Sequence, residues 1–258
     1  MNLLKPNTRL IVSSEFYSDD SEELFKKNLK NQPENWYWRN KPIWYNVNKS
    51  GYRCPEFDNI DWSNSTLIIG DSWVFGVGLD ENSTICNQLS DLIHEPVINL
   101  GQAGASPMQS WANTCILIDN NVKPKNVIYL WNFAHRVVEF QPNRLDYTSI
   151  SHMPATYEKY GHGFGLSWIT HDYQAFEYLK YAITSVSNMW NCKVLNYCFS
   201  FDNLDKKYSN LRNTTWLPNP ETFGWARDYD EKARMAHPGP GWNKKWASII
   251  AKDLGSNS

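Results

Sequence analysis

The sequence predicts a three-layer α/β/α sandwich built around a mainly parallel sheet. Three observations carry this. Short apolar runs and amphipathic stretches alternate from residue 65 to residue 254. The central runs, such as Val127-Ile128-Tyr129-Leu130, lack polar alternation, as expected of strands covered on both faces. The stretches between runs are long enough for the helical crossovers that parallel strands require.

Each element has its own signal. Residues 1–62 are polar, aromatic and irregular, as in Asn35-Trp36-Tyr37-Trp38-Arg39, and read as an N-terminal extension that packs on the main domain, 63–258. One short helix is expected at 21–29. Residues 66–69 form a short apolar strand, and Ser83 is placed to cap a helix with Ile85, Leu89, Leu92 and Ile93 on one face. A second strand covers 97–100. Ser106-Pro107-Met108-Gln109 puts serine at N-cap, proline at the first helical position and glutamine two residues further, a strong helix start. That helix runs to about Asp119, and a third strand covers 126–131. Residues 135–170 break the alternation; they include Gly161-His162-Gly163-Phe164-Gly165 and read as an insertion, a lid or a substrate loop. A long helix over 172–190, a fourth strand over 193–199 and a final helix over 243–254 complete the order.

The bulk numbers exclude several function classes. The 258 residues carry 25 basic and 27 acidic side chains, a net charge of −2, which gives no reason to expect nucleic acid or an anionic membrane as partner. Aromatics are 15% of the chain, with 13 tryptophans, so the chain is globular, and its rings either fill a core or line a groove for sugars. The five cysteines are scattered and odd in number, without a disulfide framework or zinc spacing. With no apolar leader at Met1 and no run of membrane-spanning length, a cytoplasmic, reducing setting is expected. There is no G-x-G-x-x-G spacing and no P-loop, and His162 and His171 are too isolated to argue a metal site. No cofactor or metal is expected, and the expected partner is a small-molecule or glycan ester.

Four loops fall on one predicted sheet edge, where open α/β proteins bind ligands. After the first strand comes Gly70-Asp71-Ser72, with Ser72 as candidate nucleophile. After the second comes the glycine-rich stretch from Asn99 to Ser106, whose backbone amides suit an anion. After the third comes Trp131-Asn132-Phe133, with the Asn132 amide as an oxyanion donor. Before the last helix, Ala236-His237-Pro238-Gly239-Pro240 holds an imidazole in a stiff turn. Taken singly, each is an ordinary turn or capping feature; their common placement is what points to catalysis.

This order resembles the SGNH (GDSL-like) hydrolase family over about residues 65 to 254. The resemblance implies a flavodoxin-like fold and an esterase with Ser72 as nucleophile and His237 as base. It further implies Gly104 as the oxyanion glycine, with Gly101 the alternative, and Asn132 as the oxyanion amide. Two positions depart from the family pattern. The third block, usually Gly-x-Asn-Asp, is Leu130-Trp131-Asn132-Phe133, and the last, usually Asp-x-x-His, has Arg234 where the aspartate belongs. A guanidinium has no acceptor and cannot orient an imidazole. Asp228 is the preferred substitute if the segment 229–236 loops out; Asp230 or a backbone carbonyl are the alternatives. Trp73 and Phe75, flanking the serine, are candidates for the substrate-pocket wall. The rival reading is a glycan-binding or assembly module that has lost catalysis with its aspartate.

Overall fold

The computed structural model describes residues 1, 3, 5–6, 13–131, 136–140, 146–150, 172–199, 211, 213–217, 224–230 and 237–255. In chain order the elements are β1 (Lys5–Pro6), α1 (Glu22–Asn31), β2 (Thr66–Gly70), α2 (Ser72–Phe75), α3 (Ile85–Ile93), β3 (Val97–Gly101), α4 (Pro107–Asp119) and β4 (Asn126–Trp131). They continue with β5 (Val137–Phe140), β6 (Asp146–Ile150), α5 (Asp172–Met189), β7 (Lys193–Phe199), β8 (Thr215–Leu217) and α6 (Pro240–Leu254).

Five strands form one sheet in the order β3-β2-β4-β7-β8, with every neighbouring pair parallel. This is the doubly wound order, and its switch point lies between β2 and β4, where the strand sequence reverses direction across the sheet. Thr66 of β2 pairs with Val97 on one side and Asn126 on the other. The α/β class and parallel sheet expected from the sequence are both present.

Strand pleating sorts the core into two layers. Leu67, Ile69, Val127, Tyr129 and Trp131 face Leu117 of α4 and Leu179, Ile183 and Val186 of α5. Ile68, Ile128, Leu130, Tyr197 and Phe199 face Ile85 and Leu89 of α3 and Trp242, Trp246 and Ile250 of α6. A third cluster joins Tyr17, Trp38, Ile43 and Tyr45, from the segment before β2, to Phe75, Val77, Leu79, Ala103 and Ala226. The segment 13–62 therefore packs beside α2. Arg53 reinforces this: fully buried, it pairs with Glu81 at 2.8 Å and donates to the carbonyls of Gly76 and Leu79 at 3.0 Å each.

The capping signals divide. Ser106 accepts from Gln109 N at 3.3 Å, with Pro107 opening α4 as expected. At α3 the cap is Thr84, which accepts from Asn87 N at 3.3 Å; Ser83 instead ends a single 3₁₀ turn capped by Asp80. The last helix starts at Pro240, three residues earlier than its apolar pattern suggests, because proline suits the first helical position. β8, only three residues long, has too little pattern to be seen in the sequence. Part of the expected insertion is ordered structure: β5 and β6 pair antiparallel, and β1 joins β6 in parallel. The Gly161–Gly165 stretch, with His162, and also His171 lie outside the described residues. All five cysteines are free thiols. Among the described residues no helix is long and apolar enough to cross a membrane.

Candidate active site

The chain turns sharply at the carboxyl end of β2. Asp71 caps α2, its side chain accepting from Trp73 N at 3.0 Å, and Ser72 stands at the first position of that helix. There the backbone N–H groups have no partner within the helix. Ser72 is 5% exposed. Its helix lies so close to the end of β3 that a Cβ on Gly101 would sit 2.3 Å from Phe75 N, so only glycine fits there. Asn99 fastens the two: its Nδ2 donates to Val74 O at 2.8 Å, and its Oδ1 accepts from Gly101 N at 3.0 Å. Gly104 follows in the left-handed region, at φ 77°, just before the cap of α4.

His237 enters from the other end of the chain. Residues 224–226 and 237–239 run antiparallel, with Ala226 N donating to His237 O at 2.9 Å and Gly239 N to Gly224 O at 3.0 Å. This pairing brings Asp228 against the ring. Asp228 Oδ1 accepts from His237 N at 3.2 Å, and Oδ2 makes a short contact with His237 Nδ1. Asp228 thus occupies the orienting position; Asp230 turns outward to Lys27 at 3.0 Å. With Nδ1 donating to the carboxylate, Nε2 is left as the ring's proton acceptor.

Burial pulls the imidazole toward the neutral form. The charge and hydrogen bond of Asp228 outweigh it and, with smaller contributions from Asp19 and Asp71, raise the His237 pKa above its ordinary value. Asp71 directly precedes Ser72, so the ring lies within electrostatic reach of the serine corner. A second link is steric. Gly78, at φ 74°, passes so close that a Cβ on it would lie 2.8 Å from Asp228 Oδ1. Its carbonyl accepts from Arg227 N at 3.0 Å.

Among the described residues Trp73 and Phe75 are buried in the core rather than set at an open pocket wall. The Trp73 ring lies tilted against Phe199 at 4.4 Å and stacks on Trp246 at 5.7 Å between centroids, and Phe75 is fully buried against Tyr17 and Tyr45. Their large apolar area is better buried than exposed beside the nucleophile. Asn132 and Arg234 lie outside the described residues. Arg136 had no signal in the sequence, yet its Nη1 donates to Asp71 Oδ2 at 2.7 Å and to Ala105 O at 3.3 Å, tying the first loop to the second. Among the described residues no cluster of three or more histidine, cysteine or carboxylate groups is arranged to hold a metal ion.

A doubly wound α/β sheet with a serine at its switch point, and a histidine held by a carboxylate, frame the candidate site. Comparison with known proteins gives no match among family models or among curated proteins. Solved structures do align. An acetyl xylan esterase, Est2A, from the rumen bacterium Butyrivibrio proteoclasticus is 11% identical, covering 83% of this chain and 68% of its own, with a TM-score of 0.42. The SGNH-hydrolase family esterase AlinE4 is 14% identical over 76% of this chain and 97% of its own, with a TM-score of 0.40. A member of the lipolytic G-D-S-L family from Veillonella parvula is 11% identical over 75% and 99%, with a TM-score of 0.41.

Proposed function

We propose that this chain is a serine ester hydrolase. The observation that supports it most is the Asp228–His237 couple, with Asp71, the residue before Ser72, among the charges acting on the ring. In this reading His237 Nε2 takes the Ser72 proton as Oγ attacks the ester carbonyl. Asp228 keeps the ring in the tautomer this requires and stabilises the imidazolium. The oxyanion is met by the backbone N–H groups of Ser72 and Gly104 and by the Asn132 side chain. His237 returns the proton to the leaving alcohol, and water then attacks the acyl-serine by the same route.

The substrate is a small or carbohydrate-linked ester. A buried serine and histidine suit a compact acyl group, acetyl being the simplest. Much of the tryptophan content serves packing, since Trp38, Trp73, Trp131, Trp242 and Trp246 are all core residues.

The test is hydrolysis of a chromogenic acetyl ester and of an O-acetylated sugar by the wild-type chain and by Ser72→Ala. Loss of both activities in the variant supports the reading. Turnover that survives the substitution removes it, and a wild-type chain inert to both substrates favours the binding module.

A further inference from the structure

We infer that the segment before β2 is a positioning element of the active site: through a buried Asp20–Arg227 pair and Asn28 it holds Asp228 against the His237 ring. This rests on the Ser72–His237–Asp228 reading above and deepens it.

The carboxylate stands nine positions before the histidine, so no single turn fixes both groups. Something else must restrain the loop that carries Asp228, and the residues of the N-terminal segment do so at nearly every position. Trp38 Nε1 donates to Trp225 O at 3.3 Å. Arg227, fully buried, sends Nε to Asp20 Oδ1 at 2.9 Å and Nη2 to Asp20 Oδ2 at 2.7 Å. Nη2 also donates to Glu15 O at 2.7 Å. The guanidinium lies 4.8 and 4.9 Å from the ring centroids of Phe16 and Phe25. Asn28, on α1, donates to Tyr229 O at 2.9 Å and to Arg227 O at 3.4 Å. Lys27 takes Asp230. The Asp228 side chain instead meets His237.

The contacts close a circuit. The Tyr45 hydroxyl donates to Asp20 Oδ2 at 2.5 Å and accepts from Gly78 N at 2.8 Å, while Gly78 O accepts from Arg227 N. Gly78 is also the residue on which a Cβ would meet the Asp228 carboxylate. The N-terminal segment thus grips both the loop bearing Asp228 and the Gly78 turn that lies against it.

Stability alone does not account for such a pair. A fully buried ion pair often contributes no more than apolar side chains of the same volume. Arg227 Nη1 moreover has no hydrogen-bond partner among the described residues. Burial also pushes the Asp20 carboxyl up, against the opposing pull of Arg227 and Tyr45. What the pair provides is geometry, and sub-ångström geometry around a general base is what catalysis requires.

The test uses the full chain and two variants. Asn28→Ala removes two hydrogen bonds to the Asp228 loop without stranding a charge. Asp20→Leu/Arg227→Met removes both charges together. The His237 imidazole is titrated by NMR, its signal assigned with His237→Asn, and kcat and KM are measured alongside thermal unfolding. The charges that act on the ring, among the described residues, are Asp228, in direct contact, and Asp19 and Asp71, Asp19 also from the N-terminal segment. If Asp228 loosens, burial prevails and the His237 midpoint falls below its wild-type value. In the same variants kcat drops about tenfold or more, while KM stays within about twofold.

A His237 titration identical to wild type in Asn28→Ala, with kcat falling only as the folded fraction falls, overturns the inference, whether or not the double variant folds. Survival of hydrolysis in Ser72→Ala overturns the esterase reading instead, and the NMR shift distinguishes the two failures.

Discussion

Replacing Asp228 with asparagine removes a charge and leaves the shape. The side chain is buried, with one oxygen on His237 N and the other on Nδ1. An amide offers one acceptor and one NH₂ group. If its oxygen keeps the backbone N–H, its NH₂ faces Nδ1, and the ring must carry its hydrogen on Nε2, where it cannot accept the serine proton. If the amide turns over, Nδ1 keeps its acceptor, but the backbone N–H loses its own, and the imidazolium forms without a counter-charge in either case. The wrong-tautomer penalty and the lost counter-charge together amount to about 4 to 5.5 kcal/mol of transition-state stabilisation, a loss of about 10³ to 10⁴ in kcat/KM. The pH profile moves with it. In the wild-type chain the acid limb of kcat/KM reports His237 losing its Nε2 proton above the ordinary imidazole value, because the Asp228 charge on Nδ1 stabilises the imidazolium. In Asp228→Asn the limb moves to lower pH, since burial is then the larger influence. The assay is ester hydrolysis across pH at subsaturating substrate, with circular dichroism to verify folding. A loss of less than about tenfold with the acid limb unmoved refutes the reasoning.

Gly78→Ala forces a side chain onto a left-handed backbone, costing about 1 to 2 kcal/mol by itself. It also drives a methyl group into Asp228, so turnover of the folded fraction falls; Gly224→Ala, also at positive φ but with nothing among the described residues within 4 Å of its Cβ, shows the backbone cost alone and keeps full turnover. Denaturant midpoints and kcat on both variants check this. Arg136→Met weakens the buried Asp71 corner by about 1 to 3 kcal/mol in denaturant unfolding, and lowers kcat more than it raises KM. Stability also depends on pH through His237. The folded chain binds the imidazole proton more tightly than the unfolded chain. That contribution is therefore full below the unfolded value of about 6.5 and is lost as pH rises through the higher folded value. Denaturant midpoints of wild type and Asp228→Asn should accordingly diverge as the pH falls from above the folded His237 value toward about 6.5, with the wild type gaining on the variant.

What the sequence reveals is what local chemistry determines. The parallel strands 66–70, 97–101, 126–131 and 193–199 follow from apolar runs with no polar alternation. The start of α4 follows from its serine and proline. Ser72 and His237 are legible because each sits in a short, stiff turn at a strand or helix end. Asp228 was open among three candidates, because its role depends on an antiparallel pairing of 224–226 with 237–239 that leaves no periodic trace. Trp73 and Phe75 looked like a pocket wall from their place beside the serine; which face of α2 meets the core depends on residues as distant as Tyr17 and Trp246. Arg136 and Arg227 are ordinary basic residues in one dimension. Their partners Asp71 and Asp20 are distant in sequence, and only the fold makes them neighbours.

The account turns on the reactivity of one hydroxyl. Treating the native chain with a fluorophosphonate and mapping the adduct by peptide mass spectrometry reads it directly. The adduct is predicted on Ser72, formed readily in wild type and lost in His237→Ala. An unmodified chain, an adduct on another serine, or labelling of Ser72 that is indifferent to the loss of His237 would contradict it.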